Sequence, residues 1–119
     1  MIHIICNIEN SVIKLLEVSG HSNSGKNDMI ICAAVSCLSR TVCEIITRMN
    51  GVTSDCNAPA PGDVVLSLHN YKKIDRDRLS GIADFLVFGM IGIKRDYPES
   101  IKLNINNKEW YNGSQKRWW

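Results

Sequence analysis

The feature that most constrains this chain is the change of character at Asp28. Residues 20–28 read Gly-His-Ser-Asn-Ser-Gly-Lys-Asn-Asp and offer nothing apolar to bury, so they predict a mobile loop. From Met29 to Met49 the pattern turns helical. Leu38, Val42, Ile45, Ile46 and Met49 recur at spacings of three and four, while Arg40, Thr41, Glu44, Thr47 and Arg48 take the other side. Ile30 to Val35 is apolar and small nearly all round, which predicts that this helix is most buried at its start and points Cys32 into the domain. Asn50 and Gly51 supply the stop.

The segments on either side supply a sheet. Met1 to Ile8 and Val12 to Val18 read as strands joined by a turn at Glu9, Asn10 and Ser11. Val52 to Gly62, with Pro59 and Pro61, reads as irregular or edge-strand material, followed by a strand at Asp63 to His69. Asp75 to Asp96 predicts a second helix with Leu79, Ile82, Ala83, Leu86, Met90 and Ile93 as its apolar stripe. Phe85, Phe88 and Ile91 fall outside that stripe. They predict either a homodimer that uses this face or cover by the first helix or the C-terminal tail. Tyr97 and Pro98 end the helix, and Ser100 to Asn106 alternates as a last strand. The expectation is one α+β domain over residues 1–106, a small mixed or antiparallel sheet with an N-terminal hairpin and two long helices packed on it, with an aromatic and basic tail at 107–119.

Composition narrows the function classes. A chain of 119 residues with 45% hydrophobic and 22% charged residues can form one modest core without a separate cofactor domain. A net charge of +2 is too small to make a nucleic-acid platform. The tail, KEWYNGSQKRWW, has the ingredients for base stacking but few cations, so direct RNA contact is not expected, and a frayed tail laying Trp110, Trp118 or Trp119 on the surface fits equally. Five cysteines, an odd number with no CxxC spacing, support neither a disulfide framework nor a metal knuckle, and no cofactor or metal is expected. With no secretory leader, the reducing cytoplasm is the expected compartment. Phe85 to Ile93, the longest near-unbroken apolar run, is too short for a bilayer span. His3 and His69 read as structural.

Chemistry concentrates on one cysteine and one histidine. A thiol attacks as its thiolate, which a cationic neighbour or the positive end of a helix favours. Cys32 reads as lying in the first turn of a helix, and His21 sits eleven residues upstream on a loop that must return to the same end. The free N–H groups there suit an oxyanion. These features alone leave open a structural thiol, a peptide clamp without turnover, or a redox thiol, the last of which requires a resolving partner for Cys32. Cys43 reads as core, and Cys6, Cys37 and Cys56 have no partner at ligand spacing.

The residues carry more than spacing. Gly20-His21, then Gly25-Lys26, then Cys32-Ala33-Ala34-Val35-Ser36 resemble the ribosomal-processing cysteine protease family, Prp, whose members read GHA, a short loop, then GKDIVCAAVS. The resemblance extends along most of the chain, including the hairpin, the long second helix ending near Tyr-Pro and the strand after it. It implies a cytoplasmic, dimeric endopeptidase that removes a short N-terminal extension from a large-subunit ribosomal protein during ribosome assembly. It further implies Cys32 as nucleophile, His21 as general base and acid, and Ser36 as a supporting hydrogen-bonder. Two positions depart from the pattern. Ser22 follows His21 where the family has Ala, and Met29 stands three before Cys32 where the family has Asp. Asp28, four before Cys32, either caps the helix or orients His21.

Overall fold

The computed structural model describes residues 1–20, 28–60, 62–111 and 119. The loop predicted to be mobile falls mostly at residues 21–27 and lies outside them, as do His21, Gly25, Lys26 and Trp118. The chain runs β1 (Ile2–Glu9), β2 (Val12–Ser19), α1 (Asp28–Thr47), β3 (Val52–Asn57), β4 (Val64–Tyr71), a 3-10 turn at Lys73–Asp75, α2 (Arg76–Asp96), β5 (Ile101–Ile105) and β6 (Lys108–Glu109). These form the expected α+β fold, a six-stranded mixed sheet in the order β3-β4-β2-β1-β5-β6.

The hairpin closes through Asn10 and Ser11, with φ of 53° and 65°. Positive φ at both central residues is the turn geometry that matches the twist of paired strands, and Asn tolerates it well. β1 and β5 pair in parallel, and the other pairings are antiparallel. Hence β2 runs parallel to β3, and β4 runs parallel to β5. Each helix is therefore a crossover between parallel strands, the connection that parallel pairing requires.

Strand alternation does the rest. Ile2, Ile4, Cys6 and Ile8 of β1, Leu16 and Val18 of β2, Val64, Leu66 and Leu68 of β4, and Ile101, Leu103 and Ile105 of β5 are buried in one core with the helices. Their alternates, including His3 and Val65, point to the open face of the sheet. α1 contributes Ile31, Val35, Val42 and Ile46 to that core. By length and composition α1 is apolar enough to cross a membrane, yet its buried residues fall on one stripe and pack in the shared core.

Three expectations are corrected. The start of α1 is not its most buried part, because Met29 and Ile30 are 84% and 60% exposed. A helix turns a new face outward every residue, so apolarity all round cannot all be buried against one sheet. On α2, Ile91 is buried while Phe85 and Phe88 remain exposed, so the surplus apolar face is narrower than predicted. Trp110, read as part of a surface tail, is 2% exposed and belongs to the core. Asn106 and Asn107, with φ of 51° and 66°, turn the chain back into β6, which pairs with β5. The Asn106 side-chain oxygen accepts from Ile8 N at 2.7 Å, and Trp110 N donates to Leu103 O at 2.8 Å, so the turn and the tryptophan are tied to the sheet.

Candidate active site

The site lies at one end of the sheet, where β1 begins, β2 ends and α1 starts. Gly20 follows β2 with φ of +94°, and a Cβ there would collide with Met1 O. Only glycine turns the chain at that point without strain. Asp28 is 7% exposed in the first turn of α1, where a carboxylate is favoured by the helix dipole.

Because α1 opens at Asp28, Cys32 begins its second turn and does not lie in the first, as the sequence suggested. Its N–H is the first whose acceptor four residues back lies inside the helix, so the unpaired donors belong to the turn before it. Cys32 is half-buried. With Ser36, Val35, Ile2, Val18, Gly20 and Gly62 it lines a recess of about 10 Å³, room for about one water. Asp28, Cys32 and Ser36 follow one another at four-residue steps along one side of α1. Ser39 bonds back within the helix, its hydroxyl donating to Val35 O at 2.8 Å. Thus the structure brings Gly20, Cys32 and Ser36 to one recess and puts Asp28 one turn before Cys32. His21 is outside the described residues.

The other cysteines differ in kind. Burial pushes the Cys6 thiol up to about 12. Burial also pushes Cys43 up to about 12, helped by a hydrogen bond to Cys56 and its charge and opposed by Arg40. Both keep their protons at neutral pH in the reduced protein, so neither competes with Cys32 as the ionised thiol that attacks a carbonyl. Cys37 is exposed on α1, and no group of three His, Cys, Asp or Glu side chains comes together among the described residues.

Sequence reasoning missed two things. Gly62, Ile2 and Val18 form the walls facing Cys32, and only the strand order brings them there. His69 Nε2 lies 2.6 Å from Asp55 Oδ2 across β3 and β4. That pair is exposed and on the open face of the sheet, away from Cys32, because Asp55 is paired with Ser67 while the neighbouring Leu66 faces the helices.

Among solved structures, an essential ribosomal processing protease Prp from Staphylococcus aureus in complex with a covalently linked product peptide is similar with a TM-score of 0.71 and 20% identity, over 88% of this chain and 99% of that one. SMU.848 from Streptococcus mutans is similar with a TM-score of 0.70 and 19% identity, over 88% and 96%. The Staphylococcus aureus protease in complex with a substrate peptide gives 0.69 and 19%, over 88% and 99%. At these identities the likeness speaks for the fold. By sequence, no curated protein matches this chain. The family described as cysteine protease Prp, however, matches residues 1–102. With a family match over most of its length and the family's fold, this chain belongs to the Prp cysteine proteases.

Proposed function

We propose that the chain is an endopeptidase that removes a short N-terminal extension from a large-subunit ribosomal protein during ribosome assembly, with Cys32 as nucleophile and His21 as general base and acid. The observation that carries the assignment is that Gly20, which is bonded to His21, and Cys32 line the same recess. The similar Staphylococcus aureus protease is described with substrate and product peptides, which supports a peptide substrate here.

In this reading His21 takes the Cys32 proton, and the thiolate attacks the scissile carbonyl carbon. Free N–H groups in the first turn of α1 stabilise the oxyanion. The C–N bond breaks as His21 protonates the leaving amine. Water, deprotonated by His21, then attacks the thioester and releases the acid and the thiol. Asp28 positions the helix entrance or His21, and Ser36 supports the pocket one turn beyond the sulfur. Met29 and Ile30, exposed beside Cys32, offer apolar contact to an extended peptide. Ribosome assembly places this work in the cytoplasm. Self-association through the exposed Phe85 face of α2 belongs to the same proposal.

The test is incubation with a peptide spanning the ribosomal protein's extension, followed by mass spectrometry. Wild type cleaves it, Cys32→Ala loses at least about 10³-fold, and His21→Ala loses about 10² to 10⁴-fold. Binding without cleavage by wild type would make the protein a peptide-binding module and overturn the assignment.

A further inference from the structure

A second pair of thiols stands apart from the proposed nucleophile. Cys43 is on α1, eleven residues beyond Cys32 and therefore about 16 Å further along the helix. Cys56 is on β3, the strand at the edge of the sheet. The register sets Cys56 opposite Leu66, and Leu66 is fully buried beneath the helices, so the Cys56 side chain leaves β3 on the helix-covered side. There it faces α1, close enough to Cys43 that the two thiols influence one another's protonation. Cys43 is 4% exposed, while Cys56 is open to solvent. Arg40, one turn before Cys43, donates to Ala60 O at 3.3 Å and so ties the chain just beyond β3 to α1. One thiol of the pair is thus accessible to a small oxidant, and the other is held against it out of solvent.

We propose that Cys43 and Cys56 form a reversible disulfide that staples the edge strand β3 to α1 when the protein meets hydrogen peroxide. The Cys56 thiolate attacks one peroxide oxygen, the O–O bond breaks, and hydroxide leaves and is protonated to water. Cys56 is then a sulfenic acid. The Cys43 sulfur attacks the Cys56 sulfur, the S–S bond forms, the S–O bond breaks, and the departing hydroxide takes the Cys43 proton as a second water. Two thiols are oxidised by two electrons and one peroxide is reduced to two waters. The first step also prepares the second. One of the influences that hold the Cys43 proton, the charge of a Cys56 thiolate, is gone once Cys56 is a neutral sulfenic acid, whereas Arg40 continues to favour the anion. The inference does not depend on the peptidase reading.

The full chain is treated with a small excess of hydrogen peroxide, its remaining thiols are alkylated in denaturant, and it is digested without reductant. The expected product is a linked peptide pair containing Cys43 and Cys56, which dithiothreitol separates. Oxidation should also raise the Tm, by no more than on the order of 10 °C because the closed loop is short. Cys56→Ser, a change at an exposed position that leaves the core intact, should abolish both the linked pair and the Tm rise. The inference is overturned if Cys43 is still alkylated after Cys56 has been consumed, or if Cys56 is recovered as sulfinic acid or linked to another cysteine.

Discussion

Cys6 shows how one buried thiol makes stability depend on pH. It is 2% exposed on β1, and burial lifts its ionisation from near 9 to about 12. Between those values the fold keeps a proton that the unfolded chain gives up. Stability is therefore intact below pH 9 and falls as pH rises through the window, at up to about 1.4 kcal/mol per pH unit. Cys43 acts in the same direction. Urea midpoints at pH 8 and pH 10.5 should diverge in wild type and converge in part in Cys6→Ala, and equal divergence in both would exclude this cause. At this scale the sequence was most legible where chemistry is local. Cys32 and Ser36 share a side of α1 because four residues make one turn, which spacing alone shows. The depth of each side chain was less legible. Met29 is as apolar as its neighbours, but its angular position on the helix leaves it 84% exposed.

The elements themselves were readable wherever burial imposes a period. β1, β4 and β5 alternate because one face meets the helices and the other meets solvent, and this rhythm is written in Ile101, Leu103 and Ile105. β6 has no such rhythm. Lys108 and Glu109 are ordered by what the neighbouring residues do, chiefly the Asn106 turn bonded to β1 and the burial of Trp110. The local hint was the Asn-Asn pair, a residue type that accepts positive φ twice in succession. Trp110→Ala should therefore cost about 3 to 5 kcal/mol in a urea titration, the loss typical of a large side chain removed from a core. A loss below about 1 kcal/mol would return this tryptophan to the surface. The walls of the site were illegible for the same topological reason, since Ile2, Val18 and Gly62 converge on Cys32 only through the order of the strands.

At the scale of the whole molecule, one stretch of uncovered apolar surface among the described residues lies on the outer side of the helix pair. Phe85 is 62% exposed beside a groove of about 370 Å³ lined by Val42, Ile45, Arg78 and Ile82. Trp119 meets Phe88 edge to face at 5.6 Å, so the C-terminus covers part of this surface and leaves Phe85 bare. Sedimentation at tens of micromolar should show the proposed dimer for wild type and monomer for Phe85→Asp with unchanged circular dichroism, whereas a monomeric wild type would remove self-association from the proposal. The close approach of Met1 to Gly20 has a practical corollary for anyone handling this protein. Whatever is joined ahead of Met1 emerges beside the recess that holds Cys32, so purification handles and fluorescent reporters belong after Trp119, behind a spacer that spares its ring contact with Phe88.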